Sequence, residues 1–119
     1  MLPLNVAVRT GDTIYFGGIA PIDDEGDILQ PGNVEAQLEK IINRLEHVLD
    51  KAGLGLKNLC FVTVYLNDIH LYDRMNRVYA ELMPKPYPAR KVVETKFHMT
   101  GMVVEMTAIA SSTEKEIIS

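Results

Sequence analysis

An alternation of apolar and polar residues is the clearest pattern in the C-terminal third of the chain. Two apolar runs, residues 91–97 and 102–110, flank a short break at residues 98–101. Both runs are rich in Val, Ile and Thr, which fit the half-buried surface of a β-strand. Gly101 lies in the break and suits a turn. The pattern therefore predicts a β-hairpin formed by these two runs.

Two charged residues of this predicted hairpin are hard to explain by packing. Arg90 opens the first strand, and Glu105 interrupts an otherwise apolar second strand. Because side chains alternate between the two faces of a strand, both charges are expected on the less apolar face, separated by roughly 10 Å. A small molecule or a water could lie between them at that separation. An arginine at a sheet edge and a solvated glutamate would produce the same pattern.

Shorter alternating segments predict three more strands. Residues 4–10 and 13–20 are typical of a hairpin closed by a two-residue Gly–Asp turn, and residues 59–66 are typical of a single strand. Two adjacent glycines, Gly17 and Gly18, would weaken the second strand by packing alone. They predict either a bulge or a close approach of the backbone to a ligand.

Two helices follow from apolar residues at helical spacing. The first is predicted from an N-cap at Asn33 to a C-terminal glycine at Gly53, and the second from Asp68 to about Met83. Prolines after the second helix force an extended connection into the next strand. The charged residues 112–119 are expected to form a frayed tail.

These elements predict the order β-β-α-β-α-β-β, in which two helices cover one face of a sheet of about five or six strands. Nothing in the chain remains to cover the other face. Burial of that face by identical chains in a closed symmetric ring is the simplest solution. Its expected apolar side chains, which should not face water alone, are Val103, Ile109, Val92 and Phe61.

The composition fits one globular domain spanning residues 1–119. A net charge of −4 argues against a nucleic acid or an anionic membrane as partner, because both attract clustered Lys and Arg. The chain has neither a run of about 20 apolar residues nor the basic start and apolar core of a signal peptide. Its single cysteine, Cys60, is expected to be a buried small hydrophobe and fits a reducing cytoplasm. Three scattered histidines and this cysteine lack the spacing of metal ligands, so neither a metal nor a cofactor is predicted.

Several short motifs occur in an order that resembles one known family. Pro88-Ala89-Arg90 is followed, after a spacer, by Val104-Glu105-Met106. Phe16-Gly17-Gly18-Ile19-Ala20-Pro21 ends a predicted strand, and Asn76-x-x-Tyr79-Ala80-Glu81 lies in the second predicted helix. Together these motifs resemble the RidA (YjgF) family, the reactive-intermediate imine deaminases, over roughly residues 4–111.

This resemblance implies a chorismate-mutase-like α+β fold with a mostly antiparallel sheet and both helices on one face. It also implies a homotrimer whose active sites lie between subunits. The implied activity is hydrolytic deamination of small 2-imino or enamino acids to 2-oxo acids and ammonia, as in 2-iminobutanoate or 2-iminopropanoate deaminases. No cofactor is implied.

The resemblance also implies roles for individual residues. Arg90 matches the arginine that binds the substrate carboxylate, which suits a planar and permanently charged guanidinium. Glu105 matches the glutamate proposed to orient or activate water. The other implied substrate-binding positions, through backbone or pocket contacts, are Gly18, Val92, Asn76 and Tyr87.

Several positions depart from the family pattern and leave other functions open. Leu4 stands where many members carry a tyrosine that lines the pocket, and the residues that replace other common ones are Gly17, Ile19 and Lys91. These changes bear on the substrate more than on the reaction type. One alternative is a non-catalytic module that binds a small carboxylate metabolite. Another is action on nucleic acid, which the acidic charge disfavours.

Overall fold

Five β-strands and two α-helices form the fold in the computed structural model, which describes residues 2–119. Their order along the chain is β-β-α-β-α-β-β, which confirms the prediction. Two short 3-10 helices precede the third strand and the second α-helix. The elements are β1 Ala7–Thr10, β2 Thr13–Phe16, α1 Val34–Lys51, β3 Leu59–Leu66, α2 Tyr72–Leu82, β4 Ala89–Glu94 and β5 Val104–Ser111.

The strands form one sheet in the order β1-β2-β5-β3-β4. All neighbouring pairs are antiparallel except β3 and β4, which run parallel. The N-terminal hairpin is confirmed, since Thr10 pairs with Thr13 across the Gly–Asp turn. The hairpin predicted from residues 91–97 and 102–110 is wrong, because β3 lies between β4 and β5. Helix α2 is the crossover that sets β4 parallel to β3, and alternation along a strand does not reveal its neighbour.

The hydrophobic core lies between the two helices and one face of the sheet. The side chain of Asn33 accepts a hydrogen bond from the backbone N–H of Ala36, which confirms the predicted N-cap of α1. One buried cluster contains residues of both helices together with Val62, Val64 and Met106 of the sheet. Both helices therefore cover the same face, as the order of elements predicts.

The opposite face of the sheet, called the open face below, is covered by no helix of residues 2–119. A row of cross-strand neighbours runs along it, with Val8 beside Tyr15, Tyr15 beside Ile109, and Ile109 beside Phe61. Val8 and Tyr15 are 54% and 48% exposed, and the other two are partly exposed. The expectation of an uncovered apolar face is confirmed for Ile109 and Phe61.

Two residues expected on the open face lie elsewhere. Val92 pairs with Val64 in the parallel register of β3 and β4, so its side chain points toward the helices and packs against the core. Val103 precedes β5 and is only 8% exposed. The expectation for Val92 assumed the register of a hairpin, and a change of register moves a side chain to the other face. Val103 was expected inside a strand of residues 102–110, whereas β5 begins at Val104.

A buried glutamine in the apolar stripe of α1 holds two loops against that helix. Nε2 of Gln37 donates hydrogen bonds to the carbonyl oxygens of Leu29, Gln30 and Gly101. Its Oε1 accepts a hydrogen bond from the backbone N–H of Val103. Gln37 is fully buried, so these bonds satisfy a polar group that would otherwise destabilise the core. They also fix the start of the segment that leads into β5.

The C-terminal tail is attached to the sheet, which corrects the expectation of a frayed end. Nζ of Lys115 donates hydrogen bonds to the carbonyl oxygens of Leu59 and Pro86, each at 2.9 Å. Cys60, which was expected to be buried, is partly exposed. The register of β3 shifts between Leu59 and Phe61, so the strict alternation on which that expectation depended is broken there.

Candidate active site

Arg90 lies on the edge strand β4 with its side chain directed toward α2. It pairs with Val62 of β3, whose buried side chain faces the helices, and neighbours in register share a face. The guanidinium carbon is 4.7 Å from the centroid of the Tyr79 ring and 5.8 Å from that of Tyr72. Nη2 donates a hydrogen bond to the Tyr72 hydroxyl at 3.3 Å. These distances fit cation–π contacts with both rings.

The charge of Arg90 has no counter-ion within the part of the chain that the structure describes. The ion pairs among residues 2–119 are His70–Asp68 and Arg74–Glu35. A charge that is partly buried usually has a partner of opposite charge, because burial removes the stabilisation that water supplies. The guanidinium of Arg90 therefore provides a site for an anion.

A cavity of about 360 Å³ opens beside this guanidinium. Two of its lining residues have a buried polar atom without a hydrogen-bond partner among residues 2–119, namely Oδ1 of Asn76 and the hydroxyl of Tyr79. Burial raises the pKa of Tyr79, and the nearby charge of Arg90 offsets part of that effect. The cavity brings together Arg90, Asn76 and Tyr87, which are three of the predicted site residues, and its full lining is Asn76, Tyr79, Ala80, Tyr87, Pro88 and Arg90.

Glu105 lies in β5 on the open face, with its carboxyl group against Gly18. A Cβ atom on Gly18 would lie 2.9 Å from the carboxyl carbon of Glu105 and 3.0 and 3.1 Å from its oxygens. Any side chain at Gly18 would therefore displace this carboxyl group. The two glycines at 17–18 predict either a bulge or a close approach of the backbone to a ligand. Within the chain, the group that approaches Gly18 is the carboxyl group of Glu105. Burial raises the pKa of Glu105, while the charge of His98 lowers it to a smaller extent.

Val92 lies two positions after Arg90 on the edge strand β4. Its side chain packs against the core, so a ligand beside β4 could reach only its backbone. The backbone is also the part of Val92 to which the family resemblance gives a role.

Arg90 and Glu105 point to opposite faces of the sheet, which overturns the expectation that they share a face. Arg90 is aligned through Val62 with Ala108 of β5, and Glu105 is three positions from Ala108. An odd offset along a strand reverses the face. One chain therefore carries two separate half-sites, a cationic half-site of Arg90, Asn76 and Tyr87 and a carboxyl half-site of Glu105 and Gly18.

Four residues next to these half-sites have no functional role predicted from the sequence, namely Tyr72, Met75, Tyr79 and His98. Tyr72, Met75 and Tyr79 recur at spacings of three and four positions, so they share one face of α2, and a Tyr at that spacing is more typical of a core. Arg90 is the second residue of β4, the strand that follows α2, and this adjacency is the signal that could have linked the two tyrosines to Arg90. His98 lies in the break before β5, where no periodicity indicates its neighbours.

Residues 2–119 provide neither a cluster of metal ligands nor a membrane-spanning helix. These residues contain no group of three or more His, Cys, Asp or Glu side chains placed to hold a metal ion. Their helices are either too short or too polar to cross a membrane.

The chain matches one protein family along nearly its whole length. The family model described as "Endoribonuclease L-PSP" matches residues 2–112. A RutC family protein of Pyrococcus abyssi is 34% identical over 108 residues, covering 91% of this chain and 85% of that protein. The 3-aminoacrylate deaminase RutC of Acinetobacter baylyi is 30% identical over 110 residues, covering 92% and 87%. The crystal structure of RidA from an Antarctic Psychrobacter species superposes with a TM-score of 0.85 at 26% identity, covering 92% and 88%. The resemblance carried by the sequence motifs is confirmed.

Proposed function

The chain belongs to the endoribonuclease L-PSP family, which includes the RidA and RutC proteins, and on this basis we propose that it hydrolyses small 2-imino or enamino acids to the corresponding 2-oxo or 3-oxo acids and ammonia. The observation that carries the proposal is the guanidinium of Arg90, which borders a small cavity without a carboxylate partner among residues 2–119. A guanidinium binds a carboxylate through two parallel hydrogen bonds, and every proposed substrate carries that group.

Completion of this site requires a second copy of the chain. Within one chain the cationic half-site faces α2, whereas the carboxyl half-site lies on the open face. The open face carries a continuous apolar row that is partly exposed, and such a surface favours association with another subunit. We therefore propose a closed homotrimer in which Arg90 of one chain and Glu105 of the next border the same cleft.

Glu105 is suited to handle protons in that cleft, because burial raises its pKa toward the range in which it can both accept and release a proton. In the proposed reaction it accepts a proton from a water whose oxygen attacks the carbon of the C=N bond. The same proton then passes to the nitrogen and gives a carbinolamine. Glu105 next transfers the hydroxyl proton of the carbinolamine to the nitrogen, so the C–N bond breaks and ammonia leaves as the C=O bond forms. An enamino acid first gains a proton on carbon and loses one from nitrogen, which gives the imine. Arg90 holds the carboxylate throughout.

The proposed substrate class follows from the cavity and from one relative. The RutC protein of Acinetobacter baylyi is named a 3-aminoacrylate deaminase, and 3-aminoacrylate is an enamino acid with one carboxylate. The cavity beside Arg90, at about 360 Å³, is near the lower end of the range for ligand sites, which suits an acid of a few carbon atoms. We therefore propose this class of compound as substrate.

The proposal is tested by trapping the imine. A threonine dehydratase generates 2-iminobutanoate from threonine in the presence of semicarbazide, and an active protein slows the formation of the semicarbazone. Arg90→Ala is expected to lower this activity roughly a hundredfold, because loss of the two charged hydrogen bonds costs about 3 kcal/mol. Arg77→Ala, an exposed position on the same helix as the tyrosines, is the control and should act like the wild type. Full activity in Arg90→Ala would contradict the assignment.

A second candidate function is the binding of a small carboxylate without catalysis. It is favoured by the finding that the cationic half-site is complete in one chain, whereas Glu105 is not part of it. In that case the wild type would not affect trapping, but 2-oxobutanoate would raise its Tm, because a ligand that binds only the folded state stabilises it. Arg90→Ala would abolish the rise in Tm.

Cleavage of RNA, which the family description mentions, is not proposed for this chain. The net charge is −4, and binding to a phosphate backbone requires clustered Lys and Arg. The half-sites instead present one arginine beside a small cavity and one carboxyl group, which suits a small acid.

A further inference from the structure

Two tyrosines of α2, Tyr72 and Tyr79, form an aromatic cradle around the charge of Arg90. We propose that they are positioning residues, which hold the guanidinium of Arg90 in the orientation that binds a carboxylate and leave its charge uncompensated. This inference rests on the proposed function, because it assumes that Arg90 binds the substrate carboxylate. It gives a role to two side chains to which the sequence motifs and their spacing give none.

Among residues 2–119, the hydrogen bonds and ring contacts of the Arg90 guanidinium all come from α2. The ring of Tyr79 lies 4.7 Å from the guanidinium carbon, and the ring of Tyr72 lies 5.8 Å away. The Tyr72 hydroxyl accepts one N–H, and the sulfur of Met75 accepts another at 3.8 Å. A guanidinium has five N–H donors, so three remain for a ligand. The planar group is therefore fixed while part of its hydrogen-bonding edge stays available.

Arg74, on the same helix, shows the contrasting arrangement. Its Nε and Nη2 donate hydrogen bonds to the two carboxyl oxygens of Glu35, each at 2.7 Å, and the pair neutralises both charges. Arg90 contacts two neutral rings, whose π-faces attract a cation without carrying a net charge. The cradle thus positions Arg90 without taking the place of a carboxylate ligand, as an acidic residue would.

Packing alone does not account for these tyrosines. Tyr72 is 38% exposed and adds little to the core, and its hydroxyl bonds to Arg90. Tyr79 is 5% exposed, and its hydroxyl has no partner among residues 2–119, which makes the hydroxyl unfavourable for stability. We therefore assign the ring of Tyr79, and both the ring and the hydroxyl of Tyr72, to the positioning of Arg90.

The test titrates variants with 2-oxobutanoate, the product of the 2-iminobutanoate reaction, by calorimetry. Tyr79→Leu removes the nearer ring and is expected to weaken binding about 5- to 30-fold, whereas Tyr79→Phe keeps the ring and should bind within about threefold of the wild type. Tyr72→Leu should weaken binding about 2- to 10-fold. In the trapping assay KM should rise with little change in kcat, because Arg90 contacts the carboxylate before and during the reaction. Glu81→Ala, exposed on the same helix, is the control.

The possible results separate this inference from the proposed function. If Arg90→Ala abolishes binding while both leucine variants bind like the wild type, the positioning role is overturned and the proposed function stands. If the wild type and Arg90→Ala bind 2-oxobutanoate equally, Arg90 is not the carboxylate site and both proposals fall. If Tyr79→Leu melts far below the wild type, Tyr72→Leu decides, because Tyr72 lies at the surface and its loss leaves the core intact.

Discussion

A single methyl group at Gly18 tests whether the carboxyl group of Glu105 must keep its present position. The added Cβ would lie 2.9 Å from the carboxyl carbon, whereas carbon atoms in contact are ordinarily about 3.5–4.0 Å apart. The carboxyl group must therefore move by roughly 0.5–1 Å. Gly18 is not among the glycines with a positive φ, so alanine adds a contact there and no strain in the backbone.

The displacement is expected to affect the rate much more than stability. Misplacement of a reacting group by about 1 Å costs up to roughly a hundredfold, so kcat for Gly18→Ala should fall about 10- to 100-fold. The end of a flexible glutamate side chain can rotate away at a cost of about 1 kcal/mol or less, so the Tm should change little. The affinity for 2-oxobutanoate should stay within about twofold, because the carboxylate binds to Arg90 in the proposed site.

The neighbouring glycine supplies a matched control. A Cβ on Gly17 would meet no atom closer than 3.7 Å, which is an ordinary contact, so Gly17→Ala should retain the rate of the wild type. The trapping assay gives kcat, calorimetry gives the affinity, and thermal unfolding gives the Tm of each protein. If Gly18→Ala reacts as fast as Gly17→Ala, the position of the Glu105 carboxyl group does not matter, and its role in proton transfer is refuted.

Three further predictions concern a buried polar group, protonation and assembly. Gln37→Leu leaves the N–H of Val103 and the carbonyl of Leu29 without partners. The carbonyls of Gln30 and Gly101, which Gln37 also contacts, keep hydrogen bonds from backbone donors. In urea, the free energy of unfolding should fall by about 2–4 kcal/mol for Gln37→Leu, and by less than about 0.5 kcal/mol for Glu39→Leu at an exposed position. Equal losses in the two variants would show that the hydrogen bonds of Gln37 do not stabilise the fold. Burial raises the pKa of Glu105 above its ordinary value of 4.5, so the protonated carboxyl group favours the folded chain. This stabilisation is present below pH 4.5 and is lost as the pH rises through the raised pKa, so the Tm should decline over that range. Glu105→Gln should remove this decline in Tm, and an unchanged decline would show that other groups cause it. Val8→Lys on the open face should shift the native mass from a multiple of 13.3 kDa toward that of one chain, and an unaltered mass would exclude this face from the interface.

Local chemistry was sufficient to predict most of the secondary structure. The N-cap at Asn33 and the Gly–Asp turn after Thr10 act on backbone groups within a few residues, so their effects are visible in the sequence. The same holds for β3, which spans the predicted residues 59–66. Failures occurred where a distant contact decided the outcome, as at Lys115, whose side chain reaches carbonyl groups of two other segments.

The candidate site was predicted residue by residue but not as an arrangement. Sequence motifs named Arg90, Asn76 and Tyr87, which line one cavity, and Gly18 and Glu105, which touch each other. They did not indicate that these are two groups on opposite faces. The tertiary structure, and not the sequence, shows that Tyr72 and Tyr79 lie at the site, because no local pattern indicates that α2 packs beside the start of β4.

By itself, the sequence determined the elements, their order and the chemical groups available, since helix periods, turn residues and side-chain types are local properties. Tertiary structure alone decided which strands are neighbours, and hence that β3 separates β4 from β5. The physical reason is that strand pairing depends on packing between distant segments, whereas the face of a side chain reverses with each single step of register. Arg90 and Glu105 therefore lie on opposite faces of the sheet even though the alternation in each strand was identified correctly.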